Sequence, residues 1–217
     1  MTYILVSQGL WMFTAAKLLK ILANQWYFLY FRLRTSTTEN MGKILAFAGS
    51  NSSTSINFKL VKHTVNAIEG HRVQLLNMAN FPFPMYSADY EKEQGYSNSL
   101  IELKNDIGKA DGIILSVNEH NSQPSAYFKN LLDWLSRIER NFLQDKSVLL
   151  MSTSGGKRGG KGSLETSKNL LPRFGAKVTA TFSLPLFAEN FNENEGIVDT
   201  ELASAHQQAL KVFLAEL

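Results

Sequence analysis

Apolar and polar positions alternate in blocks from Met41 onward. Ile44 to Ala48 is a short apolar run of buried-strand type, and Gly49 breaks it. Six of the seven residues from Ser50 to Ile56 are Ser, Thr or Asn. Ile56, Leu60, Val61, Val65 and Ile68 then recur at helical spacing. His71–Leu76 reads as a second strand, and Gly112–Val117, near-continuously apolar, as a third that is buried on both faces. Helices are expected over about Ser97–Ala110 and Ala126–Glu139. Ser147–Ser152 gives a fourth strand, Leu164–Arg173 a helix and Lys177–Leu184 a fifth strand. Asp199–Leu217 closes the chain as a helix capped by Asp199 or Thr200. The stretch Asn77–Ser99, with Pro82 and Pro84 between aromatics, reads as a long loop.

Strands alternating with helices predict a three-layer α/β fold around a parallel sheet. Five strands with a hydroxyl-rich loop after the first suggest a flavodoxin-like domain, five-stranded and parallel, of order 2-1-3-4-5. Ligands of such sheets bind beyond the carboxyl ends of the strands, at the switch point. Three loops rich in Gly, Ser, Asn or Thr fall there: Gly49–Ser55, Asn118–Ser125 and Thr153–Gly162.

Each loop admits a chemical and a plain reading. The first has the order strand, small hydroxyl-rich turn, helix, which is a cradle for a phosphate monoester; it is also an ordinary connection capped by Ser or Thr. Gly155 and Gly156 would let backbone approach a flat ring, or simply form a tight turn. Glu119, His120 and Asn121 would line a ring pocket, or satisfy local backbone groups. Lys157, Arg158 and Lys161 would meet a dinucleotide phosphate, or form a solvated basic loop. The run from Gly155 has the spacing of a nucleotide-triphosphate loop, but Gly162 stands where Ser or Thr must bind magnesium.

Residues 1–40 differ from the rest. They are aromatic-rich and interrupted by Lys17, Lys20, Asn24 and Gln25, so they suit neither a membrane span nor a secretory signal. They read as an amphipathic surface helix or as a non-native leader, since Met41 resembles an independent start. Lys17, Lys20, Arg32 and Arg34 against Glu39 account for the whole net charge of +3. Residues 41–217 are therefore balanced, which argues against nucleic-acid binding. With no cysteine and four scattered histidines, thiolate chemistry and a metal site are not expected. No membrane association is expected of residues 41–217, and a cytoplasmic location is.

Three segments together resemble the NADPH-dependent FMN reductases, over Gly42 to about Leu217. AGSNSSTSIN is similar to the family's phosphate loop, with Ser50, Ser55 and Asn57 on its binding positions and Ser52 where many members carry Arg. VNEHNSQPSAYFKNLLDWLSR is similar to its second segment through Glu119, Asn121, Lys129, Asn130, Asp133 and Trp134, with His120 in place of the commoner Tyr. STSGGKRGG resembles its third loop, whose backbone holds the flavin's pyrimidine edge. The resemblance implies bound FMN, NADPH or NADH as co-substrate, and a small electron acceptor such as a quinone, azo compound or free flavin. It further implies a homodimer or dimer of dimers. Cofactor contacts would come from Ser50, Ser52, Ser55, Ile56, Asn57, Glu119, His120, Asn121, Thr153, Ser154, Gly155 and Gly156, with no catalytic side chain required. A flavodoxin-type electron carrier and a non-catalytic partner-binding protein are the alternatives.

Overall fold

The computed structural model describes residues 41–217; the two readings of residues 1–40 lie outside the described residues. The main sheet has five strands, β1 (Lys43–Ala48), β2 (Arg72–Leu76), β3 (Gly112–Val117), β4 (Ser147–Thr153) and β5 (Lys177–Leu184), in the order β2-β1-β3-β4-β5. All neighbours are parallel. This is the flavodoxin-like order expected from the alternation of patterns.

Burial follows strand position. β3 and β4 are buried at every residue and β1 at all but Lys43, because helices cover both faces of the centre. The outer strands are more open: β2 has no buried residue, and β5 buries only Phe182 and Leu184. Helices α1 (Ile56–Asn66) and α6 (Thr200–Leu214) pack on one face around Leu60, Val61, Ile114, Leu149 and Phe213. On the other face lie α3 (Asn98–Lys109), α4 (Ala126–Ile138) and α5 (Lys161–Leu170), around Leu103, Ile107, Phe128, Trp134 and Leu164. Of these five helices, four begin on a side-chain cap: Ser55 for α1, Ser97 for α3, Ser125 for α4 and Asp199 for α6.

The structure departs from the sequence expectations in three places. The long loop contains a short helix, α2 (Ala88–Gln94), capped by Ser87 and stopped by Gly95 at φ 69°. It has no buried residue, which is why no apolar period marks it. Helix α5 begins at Lys161, three residues before the expected Leu164, because left-handed Gly160 (φ 77°) turns the chain straight into it. Asn118–Ser125 holds a two-residue ladder, Glu119–His120 with Gln123–Pro124, closed by Asn121 (φ 51°) and Ser122 (φ 63°). Positive φ at both central residues gives a turn that matches strand twist.

The rest of the long loop is clasped to α4. Asn130 Nδ2 and Trp134 Nε1 both donate to the Pro84 carbonyl, at 2.9 and 2.8 Å, and Asn130 Oδ1 accepts from the Tyr86 N–H at 2.8 Å. The Tyr127 hydroxyl donates to the carbonyls of Met78 and Phe81. Glu91 accepts from Tyr86, Tyr96 and Arg137. Tyr96 and Arg137 hold its carboxyl below the usual range.

Candidate functional site

The register places β1, β3 and β4 side by side with their carboxyl ends level: Ala48 pairs Ser116, and Val117 pairs Ser152. The loops after these strands therefore share one rim. They are also tied to one another. Ser125 Oγ donates to the Gly49 carbonyl at 3.1 Å, joining the first and second. Asn57 Nδ2 donates to the Thr153 carbonyl at 3.2 Å, joining the first to the third. Ser163 Oγ donates to the Asn118 carbonyl at 2.9 Å, and Ser163 N–H to Glu119 Oε2 at 2.9 Å, joining the second to the third.

The first loop starts close against α4. A Cβ at Gly49 would lie 2.6 Å from the Phe128 ring, so only glycine allows β1 to end there. Ser50 and Ser55 are buried, whereas Asn51 to Thr54 are exposed. Ser50 Oγ accepts from Ser52 N–H at 3.3 Å, Ser52 Oγ from Thr54 N–H at 3.3 Å, and Ser55 Oγ from Phe58 N–H at 3.2 Å. The N–H groups of Ser53, Ile56 and Asn57 find no acceptor among the described residues. Such free donors at a helix start, with the positive end of the helix dipole, suit an anion.

The third loop is held from beneath. Leu186 N–H donates to the Gly156 carbonyl and Phe187 N–H to the Ser154 carbonyl, both at 3.1 Å. The Gly159 carbonyl accepts from the hydroxyls of Ser152 (2.7 Å) and Ser183 (3.0 Å). Thr153 is buried, and its Oγ1 donates to the Leu184 carbonyl. Gly155 and Gly156 are exposed, and a Cβ at Gly155 would meet nothing within 4 Å. Gly155 N–H finds no acceptor among the described residues, while Gly156 N–H donates to Ser154 Oγ at 3.3 Å. The protein thus leaves the space over Gly155 open, with a donor at its edge.

All twelve expected site residues stand on these three loops or on the first turn of α1, but their side chains divide. Those of Ser52, Ser154, His120 and Asn121 are exposed or half-buried at the rim. His120 Nε2 lies 3.3 Å from Asn118 Nδ2. The Glu119 carboxylate faces the start of α5, where it caps Ser163 N–H. The Asn57 amide faces inward, to Ser116 and Thr153. Ser116, Ser125 and Ser163 are buried ties that loop composition alone did not single out; Ser116, a lone hydroxyl within GIILSV, is the one with a visible signal. Lys157, Arg158 and Lys161 are exposed. No group of metal-binding side chains occurs among the described residues.

The sequence model of the family described as NADPH-dependent FMN reductase matches residues 42–189, well over half of the chain. The chain belongs to that family. It is 36% identical over 77 residues to a quinone reductase of Escherichia coli, a match covering 36% of this chain and 41% of that protein. It is 29% identical over 123 residues to an NADPH:quinone oxidoreductase of Arabidopsis thaliana, covering 55% and 61% of the two chains. The chain thus spans roughly half the length of the curated relatives it matches. Among solved structures it resembles FerB, a flavoenzyme NAD(P)H:(acceptor) oxidoreductase of Paracoccus denitrificans. The TM-score is 0.66 at 24% identity, over 80% of this chain and 96% of that one. That likeness establishes the fold.

The family is described by FMN and NADPH. The rim suits FMN on its own geometry. An anion cradle with free N–H groups stands at α1, and an open glycine surface with a free donor stands two strands away at Gly155.

Proposed function

We propose that this chain is an NAD(P)H-dependent FMN oxidoreductase, which passes hydride through bound FMN to a small acceptor such as a quinone, an azo compound or free flavin. The observation carrying this reading is the shared rim, with its phosphate-type cradle after β1 and its open glycine loop after β4, two strands away. FMN, when bound, supplies the hydride-accepting and hydride-donating chemistry. The chain's own residues bind and orient. Ser50 and Ser55 shape the cradle, Ser52 lines its outer side, and the N–H groups of Ile56 and Asn57 meet the phosphate. The loop from Thr153 to Gly156 carries the ring, with Gly155 N–H stabilising negative charge at its pyrimidine edge. Glu119, His120 and Asn121 form the opposite wall, where Glu119 acts by fixing the hairpin to α5. Ser52 stands where a cation is common in the family, so the cradle relies on N–H and hydroxyl donors.

Residues 41–217 form the catalytic domain in this reading, acting in the cytoplasm as a homodimer or dimer of dimers. Met85 (68% exposed) and Tyr90 (40%) are large apolar side chains left open on the clasped segment, which supports assembly there. No helix among the described residues is long and apolar enough to cross a membrane.

Purified protein with FMN, NADPH and a quinone should show steady NADPH oxidation. A protein that binds FMN without turnover is a carrier, and one that binds no FMN overturns the reading. Gly155→Val fits the fold, because nothing of the protein lies within 4 Å of the added Cβ. It should leave the melting temperature unchanged and abolish most flavin binding, and full flavin occupancy in this variant would remove the ring from this loop.

A further inference from the structure

Asn57 is the second residue of α1, and only 2% of it is exposed. Its Oδ1 accepts from Ser116 Oγ at 2.7 Å and from Thr153 N–H at 3.1 Å, while its Nδ2 donates to the Thr153 carbonyl at 3.2 Å. β3 leaves the sheet after Val117, whose partner is Ser152. Thr153, one residue further, has no β3 residue to pair with. The Asn57 amide takes that place, offering one donor and one acceptor as a strand residue would. The Thr153 N–H and carbonyl fix which way round the amide sits, and its third bond, from the Ser116 hydroxyl, anchors it to β3. Of Asn57, the backbone N–H and the second Nδ2 hydrogen have no acceptor among the described residues.

We infer that Asn57 is a positioning residue whose side chain sets the spacing between the phosphate cradle and the ring-bearing loop. The inference rests on the FMN reading for its ligand measurement. A ligand held at both ends gains when the two half-sites keep a fixed spacing, whereas a fragment touching one half gains nothing from it. Loosening the Asn57 amide should therefore weaken FMN and spare its fragments.

The test compares dissociation constants for FMN, riboflavin and ribitol 5-phosphate in wild type, Asn57→Leu and Ser116→Ala. In Asn57→Leu, FMN should weaken on the order of 30-fold while each fragment stays within about 3-fold. Ser116→Ala, which removes only the bond anchoring the amide to β3, should weaken FMN by roughly 5-fold with the same pattern. If FMN and ribitol 5-phosphate weaken together and riboflavin is unaffected, Asn57 is a phosphate ligand and the inference fails. Amide hydrogen exchange at Thr153, measured without flavin, gives a second reading. Protection should fall in both variants. Unchanged protection overturns the inference, as does lost protection with unchanged FMN affinity. Should wild type bind no flavin, lost protection upholds the clamp and only the FMN reading falls. Should Asn57→Leu not fold, Ser116→Ala decides by the same measurements.

Discussion

The two faces of the sheet each bury an asparagine that grips backbone, and the surroundings of the pair differ. On the three-helix face, Asn130 holds the Pro84 carbonyl and the Tyr86 N–H, with Trp134 sharing the carbonyl. On the two-helix face, Asn57 holds both polar groups of Thr153. Asn57 replaces a strand neighbour that the topology does not provide, whereas Asn130 satisfies backbone groups of a loop. The first face surrounds its clamp with indole and phenol groups, and burial pushes the Tyr127 phenol up. The second carries a titratable pair instead, one histidine buried and one half-buried. His206, 2% exposed, lies 2.8 Å from Thr64 Oγ1, with its ring 5.3 Å from that of His63. The lesson is that one face is fastened by groups silent near neutral pH, while the other depends on histidines staying neutral.

The largest effect should come from the first face. Trp134→Ala removes a fully buried ring together with one of the two donors to Pro84. It should cost about 3–5 kcal/mol in denaturant unfolding, equally at pH 7 and pH 5.5. A loss below about 1 kcal/mol would show that the clasp is not part of the cooperative core.

Acid should separate the faces next. Burial first, and His63 second, push the His206 pKa from 6.5 down to about 4. Unfolded chains take up this proton near 6.5, so the contribution is complete above that pH and is lost as pH falls from about 6.5 to 4. The loss is on the order of 3 kcal/mol. Burial lowers His63 as well and adds in the same direction. Glu91 on the other face, held low, gives stability that is present above its ordinary 4.5 and is lost only as pH falls below it. His206→Gln should therefore flatten unfolding free energy between pH 6.5 and 4.5, and an unchanged slope would refute the assignment.

Ser55→Asp should sharpen the contrast within α1. Aspartate caps a helix as well as serine does, so the fold should stand. Its charge at the cradle should weaken FMN by about 2 kcal/mol in fluorescence titration. Equal affinity would move the phosphate elsewhere. The smallest effect belongs to Lys59–Glu193, an exposed pair at 2.5 Å. Glu193→Gln should leave thermal unfolding unchanged within error, and a measurable drop would make the pair part of the face's stability.

Most of this arrangement was legible in the chain. Gly112–Val117 and Lys177–Leu184 coincide with β3 and β5, because runs dominated by apolar or β-branched residues between turn residues leave little choice. Ser55, Ser97 and Asp199 stand at the helix starts where a side-chain oxygen can reach an unpaired N–H. Ser87–Gln94 was not legible as a helix, since it buries nothing and its two punctuating residues, Ser87 and Gly95, equally suit a loop. At the rim, the singled-out residues do fall at the ends of β1, β3 and β4, but composition could not say which way a side chain turns. Asn57 and Glu119 look like ligand-facing groups in sequence, and their polar atoms serve Thr153 and α5 instead. Such orientations depend on which strand ends first, a property of the assembled sheet.

The twin hydroxyls on the Gly159 carbonyl carry a kinetic corollary. They anchor one jaw of the rim to two strands, whereas the exposed tip of the other jaw is braced by short-range bonds within its own loop, among Ser50, Ser52, Thr54 and Ser55. A guest spanning both jaws should then let go at the serine tip before it slides off the glycines, and its residence time should track the stiffness of those few exposed atoms.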